Sequence, residues 1–405
     1  MSTDEEAKND RKRVGIITTN VHTSLNYGGV LQAYALQQVI LNLGCGCEII
    51  QYSTSGKRVA TFLKSEFHEN SSLLLLMKRT FQLGSSYISS RLKRVFLSAV
   101  KTVCLNKHMG LREAVFSDFK KSRIALSKEI YTRENIQNSV SDYDIFVCGS
   151  DMIWKPGKYD PTYFLDFVPD DKLKIAYAPS IGVSHLSDSE KAYMKPLVNR
   201  LDAVSVREKH GKELLELVTE KDVSWVLDPT LLLSREMWDS VAKPYAIERP
   251  YLFCYLLGKN AENYAFVEKT AKRLGLFIVT IPFVAGDHVT GITFGDKQIY
   301  DAGPEHFISL IRNAELIITD SFHGTVFSII YGKEFITLPR SNDTHNSSNS
   351  RIYSLLELFG LNDRVVNLSN EVINDLLREA IDYNNVNMII QRKRDESLNY
   401  LMRLF

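Results

Sequence analysis

The chain repeatedly alternates short runs rich in β-branched residues with longer segments of helical periodicity. Near its start, RVGIITTN predicts a strand, GGVLQAYALQQVILNLG predicts a helix that stops at Gly44, and CEIIQY predicts the next strand. A strand–helix–strand unit of this kind places its two strands in parallel, because the helix carries the chain back to the same edge of the sheet. The pattern therefore predicts an α/β fold built on parallel sheets.

The alternation occurs in two blocks, and 405 residues exceed what one ordinary core organises. A proline-flanked linker, VAKPYAIERP, separates YDIFVCGSD, DAVSVRE and DVSWVLDPT from YLFCYLLG, LGLFIVTIPF, ELIITD and EFITL. We predict an N-terminal α/β domain at 13–242 and a C-terminal one at 243–375. A disordered leader at 1–12 would precede them, and a helical segment at 376–405 would follow and could pack back on the first domain.

Composition excludes several classes of protein. Apolar residues make up 44% of the chain and charged residues 24%, which is typical of globular proteins. A net charge of +1 argues against a polyanion-binding surface over the whole molecule, so no nucleic-acid partner is predicted. The sequence contains no apolar stretch of about 20 residues and its charged start does not resemble a signal peptide, so we expect a cytoplasmic protein. The five cysteines lack metal-ligand spacing, and neither a disulfide nor a metal is predicted.

Residues 57–112 differ from the rest of the first block. They carry eleven lysines and arginines against Glu66 and Glu69, interleaved with the apolar stretches SSLLLLMKR and LKRVFLSAV. One interpretation is an inserted helical hairpin with basic faces turned to solvent. The other is a basic amphipathic patch that rests on an anionic membrane, which would place the protein at the inner membrane face.

The segment ELIITDSFHGTVFSIIYG inserts polar residues between two apolar runs. Its first part predicts a strand and its last part a short helix, so Asp320, Ser321 and His323 fall in the turn between them. The unpaired N–H groups of a helix N-terminus attract anions, and Gly324 removes a Cβ from that approach. An imidazole there can transfer protons near neutral pH. The alternative is a helix cap with His323 as an ordinary turn residue.

Other predicted strands also end in polar or glycine residues, at the edge where open α/β sheets bind ligands. Arg207 in VSVRE would offer a guanidinium to phosphate or carboxylate, although a single arginine at a strand end more often has a structural role. The glycine pair in NYGGVLQ lacks the lysine of a P-loop. The candidate binding positions from these ends and from the short helix are Asn26, Gly28, Gly29, Ser150, Ser180, Arg207, Ser321, Gly324 and Thr325.

Taken in order, the motifs resemble those of a known family. They are NYGGVLQAYAL, GSDMIW, YAPSIG, VSVRE, LDPTLLL, AGPEHFISLIRNAELIITDSFHGTVFSIIYGKEF and SSNSRIYSLLELFGL. In this order and spacing, over roughly residues 13–365, the chain resembles the polysaccharide pyruvyl transferases. The resemblance implies a GT-B-type architecture of two Rossmann-like domains facing a cleft. It also implies transfer of the enolpyruvyl unit of phosphoenolpyruvate, as donor substrate and without a cofactor, onto two hydroxyls of a sugar in a polymeric or lipid-linked glycan.

The same resemblance suggests roles for particular residues. His323 and Asp151 become the catalytic candidates, and Arg207 the candidate anion clamp. Many members carry an arginine two residues before the histidine, where this chain has Ser321. Arg351 or Arg340 could supply that guanidinium from a following loop. Two further classes stay open: a glycosyltransferase that uses a nucleotide sugar, and a non-catalytic relative that binds a glycan or phosphate.

Overall fold

The computed structural model of the chain describes residues 11–54, 109–157, 160–285, 288–340, 349–366 and 379–405. The predicted leader lies outside these residues except for its last two positions. The predicted basic insertion lies outside them up to residue 108. Among the described residues, no helix is long and apolar enough to cross a membrane.

A seven-stranded parallel sheet forms the first half of the molecule. Its strand order is β3-β2-β1-β4-β5-β6-β7, so the order reverses between β1 and β4. Every pairing is parallel, as the alternating sequence pattern requires. The strands are β1 (Arg13–Ile17), β2 (Gly46–Tyr52), β3 (Leu126–Tyr131), β4 (Ile145–Cys148), β5 (Leu173–Ala176), β6 (Ala203–Val206) and β7 (Val223–Trp225).

Helices connect these strands, and their starts follow ordinary capping chemistry. The side chain of Asn26 accepts a hydrogen bond from the Gly29 N–H and so begins the first helix. Ser187 and Glu190 form a reciprocal capping box at another start. The helices of this half are α1 (Tyr27–Asn42), α2 (residues 109–123), α3 (Asp188–Asn199), α4 (Lys209–Glu216) and α5 (Arg235–Val241), with 3-10 turns at Ile136–Asp142, Pro161–Phe164 and Pro229–Leu231.

A five-stranded parallel sheet forms the second half, in the order β12-β9-β8-β13-β14, which reverses between β8 and β13. A small antiparallel pair, β10 and β11, lies beside it. The strands are β8 (Tyr251–Tyr255), β9 (Phe277–Thr280), β10 (Phe283–Ala285), β11 (His288–Thr290), β12 (Lys297–Gln298), β13 (Leu316–Thr319) and β14 (Phe335–Thr337). The helices are α6 (Ala261–Leu274), α7 (Pro304–Arg312), α8 (Phe322–Ile330), α9 (Ser350–Phe359) and α10 (Tyr383–Met402), with a 3-10 turn at Asn362–Arg364.

The two halves pack directly on each other through a shared apolar core. The Tyr27 ring of α1 stacks on Phe307 of α7 at 4.8 Å, and its hydroxyl donates to the Ala302 carbonyl at 2.7 Å. On the same interface, Trp238 meets Phe327 edge to face at 5.0 Å. The predicted α/β fold with two Rossmann-like parallel sheets, of GT-B type, is confirmed.

The last helix, α10, bridges the two halves. At its start, the Tyr383 hydroxyl donates to the Lys333 carbonyl in the second half. Further along, Arg394 donates to the Leu231 carbonyl at 2.8 Å and Ser397 accepts from the Leu227 N–H at 3.0 Å. Its C-terminal part therefore lies on the first half.

Arg112 corrects one detail of the basic segment. The sequence analysis counts it among the charges of a basic face, but its guanidinium is buried at the contact between the halves. It donates to the carbonyls of Pro282, Ile299 and Tyr300 at 2.7, 3.1 and 3.3 Å. Arg112 therefore clamps α2 to strand ends of the second sheet, and its charge faces neither solvent nor lipid.

Candidate active site

The site lies where the two sheets turn their carboxyl ends toward each other. In the first half, the chain leaving β4, β6 and β7 supplies Asp151, Arg207 and Asp228. In the second half, the turn after β13 supplies His323 at the start of α8. All four residues are buried. Parallel strands bring such ends to one edge, which explains how residues distant in sequence meet here.

His323 projects from the second half into the first. Its Nε2 lies 3.6 Å from Oδ2 of Asp228 and has no hydrogen-bond partner among the described residues. The ring meets Phe322 edge to face at 5.1 Å. The imidazole predicted as the acid–base group is therefore buried and adjacent to a carboxylate.

Arg207 joins the carboxylates of the first half. It donates to Asp228 at 2.7 Å and to Asp151 at 3.3 Å, and its side chain is fully buried. Burial by itself raises the pKa of Asp151, but the charges of Arg207, His323 and Arg351 outweigh it, so that this pKa lies below its ordinary value. Both carboxyl groups are thus held in the ionised form.

Gly28 lies directly against the ring of His323 across the interface. A Cβ added there would lie 2.0 Å from Nδ1 and 2.4 Å from Cγ of His323. A Cβ at Gly29 would meet nothing closer than Oδ2 of Asp151, at 3.4 Å. The sequence analysis lists both glycines among the candidate binding positions. In the structure, Gly28 makes room for the imidazole of the opposite half.

Ser321 and Asp320 both have structural partners. The Ser321 hydroxyl caps α8 by accepting from the Gly324 N–H at 3.3 Å. The Asp320 carboxylate accepts from the N–H groups of Leu257 and Gly258 at 2.7 and 2.8 Å, which ties the turn after β13 to the one after β8. The helix start at His323 is therefore fixed by two side chains.

Gly324 and Thr325 face the interior of the second half. A Cβ at Gly324 would lie 2.5 Å from Oγ1 of Thr319, so this glycine makes room for a protein side chain. The Thr325 hydroxyl donates to the Ser321 carbonyl at 3.1 Å and lies 3.0 Å from the Thr337 hydroxyl. The structure does not bring either residue into the buried charged cluster.

Arg207 and a second buried arginine, Arg351, lie near Phe322. The guanidinium carbons of Arg207 and Arg351 lie 4.5 and 5.7 Å from the centre of that ring. Arg351 is buried, and burial followed by the charges of Arg207 and Arg340 lowers its pKa to about 9. Arg340 donates to the Asp320 carbonyl at 3.1 Å. Of the two candidates for the missing guanidinium, Arg351 lies closer to the cluster.

The remaining candidates take supporting positions. Ser150 is buried, and its hydroxyl lies 2.8 Å from the Ala178 carbonyl and 3.4 Å from Asp228. The Ser180 hydroxyl donates to Glu208, whose pKa is raised by burial. Asn26 is exposed and caps α1. Asp228 itself was not among the predicted site residues, although it follows a predicted strand in DVSWVLDPT just as Asp151 and Arg207 follow theirs.

The family model of the polysaccharide pyruvyl transferases matches residues 26–342, which include every residue of this cluster except Arg351. The chain belongs to the polysaccharide pyruvyl transferase family. It is therefore a member of a family of enzymes that transfer a group. The described residues contain no set of three or more histidine, cysteine or acidic side chains placed to hold a metal ion.

No curated protein sequence matches this member of the polysaccharide pyruvyl transferase family. Several solved structures are similar to it at low sequence identity. UDP-GlcNAc 2-epimerase from Methanocaldococcus jannaschii is 12% identical over 92% of this chain and 93% of that chain, with a TM-score of 0.45. The enzyme from Neisseria meningitidis bound to UDP-GlcNAc is 10% identical over 97% and 100%, with a TM-score of 0.46. The glycosyltransferase SnogD from Streptomyces nogalater is 11% identical over 96% and 95%, with a TM-score of 0.37. Identities this low assign no site residue.

Proposed function

We propose that the protein transfers the enolpyruvyl group of phosphoenolpyruvate to two hydroxyls of one sugar in a cell-surface polysaccharide precursor, forming a cyclic pyruvate ketal. The observation that carries this proposal is the buried imidazole of His323 beside Arg207 and Arg351. Phosphoenolpyruvate bears a phosphate and a carboxylate, which guanidinium groups bind well. Its vinyl group needs a proton donor, which imidazolium can provide at neutral pH. No cofactor is needed for this chemistry.

The reaction we propose balances as follows. A proton from His323 adds to C3 of phosphoenolpyruvate, and the π electrons of the C2–C3 double bond form the new C–H bond. The oxygen of the first sugar hydroxyl bonds to C2, and its proton returns to the imidazole. Phosphate then leaves with the electrons of its C–O bond, and the second hydroxyl oxygen bonds to C2. We assign to Asp151, which is held ionised, the role of receiving that last proton and passing it to phosphate.

Arg351 is the residue we assign to the place that Ser321 leaves without a guanidinium. Its pKa of about 9 reflects burial first and two neighbouring arginines second. A bound phosphate or carboxylate would relieve that repulsion, because an opposite charge favours the charged form of the guanidinium. Donor binding is therefore expected to stabilise the folded protein, and more so in the presence of Arg351.

The acceptor we propose is part of a polymeric or lipid-linked glycan, handled in the cytoplasm at the inner membrane face. The support is the basic and apolar composition of residues 57–108, which lie outside the described residues. Deleting part of this segment should weaken sedimentation of the protein with anionic liposomes and leave neutral liposomes unaffected. Equal sedimentation of the deletion and the full chain would contradict the membrane contact.

Two measurements test the donor. Melting temperature should rise with phosphoenolpyruvate and not with UDP or GDP sugars, because a ligand that binds only the folded state stabilises it by mass action. Phosphate release from phosphoenolpyruvate should then depend on an acceptor, tested with a panel of lipid-linked or aryl glycosides. Stabilisation by nucleotide sugars alone would favour a glycosyltransferase. Binding of phosphoenolpyruvate without phosphate release across the panel would favour a non-catalytic relative.

The His323→Ala variant tests the acid–base role. We expect it to release phosphate at least about a hundredfold more slowly than the wild type, since a positioned general acid commonly contributes 10²–10⁴. His210→Ala is the matched control, because His210 is on α4 and its ring nitrogens contact Ser184 and Glu213 in the part of the chain that the structure describes. Wild-type phosphate release by a folded His323→Ala variant would remove the imidazole from the mechanism.

A further inference from the structure

Asp228 and His323 form a contact that spans the two halves of the molecule. Asp228 follows the last strand of the first sheet, whereas His323 begins α8 in the second half. Their side chains are 1% and 8% exposed, and the Nε2–Oδ2 distance is 3.6 Å. The Nε2 atom is buried and has no hydrogen-bond partner in the described part of the chain. A buried ring nitrogen of this kind is satisfied when it carries a proton directed at the carboxylate.

The carboxylate of Asp228 is held in place by other groups. Its Oδ1 accepts from the N–H and the hydroxyl of Thr230 at 3.0 and 2.6 Å. Its Oδ2 accepts from Arg207 at 2.7 Å. Burial alone raises the pKa of Asp228, but the charges of His323 and Arg207 and these hydrogen bonds bring it well below its ordinary value. The carboxylate is therefore ionised and oriented before any substrate arrives.

The opposite edge of the imidazole faces the first turn of α1. A Cβ at Gly28 would lie 2.0 Å from Nδ1, so only the bare backbone of that glycine fits against this nitrogen. The charged groups around the ring are Asp228 at Nε2, Asp151 beyond the glycine pair, and Arg207, which bridges the two carboxylates. The two ring nitrogens therefore have different surroundings, one carboxylate and one backbone.

We propose that Asp228 is a positioning residue for proton transfer: its carboxylate keeps the proton on Nε2 of His323, and Nδ1 is the nitrogen that gives and takes the proton of the reaction. This inference rests on the proposed function for the identity of the substrate. Asp228 acts through the imidazole and touches no reacting atom. A carboxylate behind an imidazole fixes its tautomer and stabilises the imidazolium.

The assignment defines the proton path in the proposed reaction. The imidazolium gives its Nδ1 proton to C3 of the donor, while the Nε2 proton stays directed at Asp228. When the first hydroxyl oxygen bonds to C2, the hydroxyl proton returns to Nδ1 and the ring regains its starting state. Because Gly28 lies against Nδ1 and belongs to the other half, the donor reaches this nitrogen only if the halves separate slightly there.

The experiment compares Asp228→Asn and Thr230→Val with the wild type. Histidine ¹⁵N chemical shifts, assigned with a His323→Gln variant, distinguish neutral imidazole protonated on Nε2 from that protonated on Nδ1. At a pH where the imidazole is neutral, we expect the wild-type signal of His323 to be that of the Nε2-protonated form. In Asp228→Asn the Nδ1-protonated form should appear, because one carbonyl oxygen cannot serve Thr230, Arg207 and His323 together.

The kinetic readout separates positioning from binding. In Asp228→Asn, kcat for phosphate release should fall at least about tenfold, while KM for phosphoenolpyruvate changes by less than about threefold. Asp166→Asn, at a partly exposed ion pair with Arg133, is the matched control and should leave both unchanged. Thr230→Val keeps the carboxylate and its bond to Arg207, so it should show the same changes to a smaller degree even if Asp228→Asn does not fold.

Two outcomes would overturn the inference. One is a wild-type His323 signal typical of protonation on Nδ1. The other is an unchanged tautomer in both variants. The ¹⁵N measurement needs no substrate, so the tautomer of His323 tests the inference independently of the reaction. An absence of phosphate release from phosphoenolpyruvate in the wild type would refute the proposed function, and the inference would then be decided by the tautomer alone.

Discussion

The Gly28→Ala variant tests the closeness of the two halves at the site. The added Cβ would lie 2.0, 2.4 and 2.8 Å from Nδ1, Cγ and Cβ of His323. Carbon contacts are comfortable at about 3.5 Å, so ring and helix must separate by about 1.5 Å. Overpacking of a filled core typically costs about 1–3 kcal/mol. We expect this loss in the free energy of unfolding, together with a displaced imidazole.

The Gly29→Ala variant is the matched control. Both glycines lie in the first turn of α1 and both are buried, so replacing either gains the same helix propensity, up to about 1 kcal/mol. A Cβ at Gly29 would find its nearest neighbour at 3.4 Å, which needs little adjustment. The difference between the two variants therefore isolates the contact with His323, and it should be about 1–3 kcal/mol.

Urea denaturation provides the free energies, and unequal slopes between variants would reveal a change in unfolding behaviour. The ¹⁵N signal of His323 reports the ring directly and should move in Gly28→Ala but stay in place in Gly29→Ala. If the two alanine variants unfold at the same urea concentration and both keep the wild-type signal, Gly28 does not limit the approach of the two halves.

Three further predictions concern charged residues. The pKa of Asp228 in the folded protein lies well below 3.8, so the ionised carboxylate contributes to stability above about pH 4, and this contribution is lost as the pH falls further. The urea midpoint of the wild type should therefore fall more steeply between about pH 5 and 3 than that of Asp228→Asn. Parallel curves would contradict this. Arg351→Met should abolish the rise in melting temperature caused by phosphoenolpyruvate or phosphate; an unchanged rise would exclude Arg351 from the anion site. Arg112→Met leaves three backbone carbonyls without their donor and should lower the free energy of unfolding by about 1–3 kcal/mol. The control is Arg123→Met, at an exposed position of the same helix, which should lower it by less than about 0.5 kcal/mol.

The sequence predicts the class of fold well because periodicity is a local property. The alternation of short apolar runs with helical segments requires parallel strands, and two blocks of it predict two sheets. The convergence of Asp151 and Arg207 follows from the same logic. Each comes after a predicted strand of the first block, and parallel strands of one sheet end at one edge. The same rule places His323 at the corresponding edge of the second sheet, but it does not bring that edge to the first.

Contacts between the halves could not be predicted in this way. The glycine pair NYGGVLQ indicates that a Cβ is unwelcome, but the same pattern serves a phosphate or a neighbouring ring. Only the packing of the two halves shows that the ring of His323 occupies the space beside Gly28. Asp228 was missed although its place after a strand was a usable signal. Its significance depends on a histidine that belongs to the other domain.

Arg112 and Arg351 illustrate a second limit. Long arginine side chains usually lie on protein surfaces, and neither motif nor periodicity indicates otherwise for these two. Arg112 is buried because three backbone carbonyls of the other half accept its protons. Burial of a guanidinium depends on acceptors that the fold supplies from distant segments, which a local pattern does not contain.

The contact between Gly28 and His323 also acts as a mechanical stop. Two rigid elements, each fixed by its own capping residue, meet there at a backbone atom and a ring, neither of which can be compressed. The stop sets the smallest gap between the halves at the reacting nitrogen. It also makes positions 28 and 323 compete for a single volume. A larger residue at 28 requires a smaller one at 323, so each substitution that damages the protein alone should be partly rescued by the right partner.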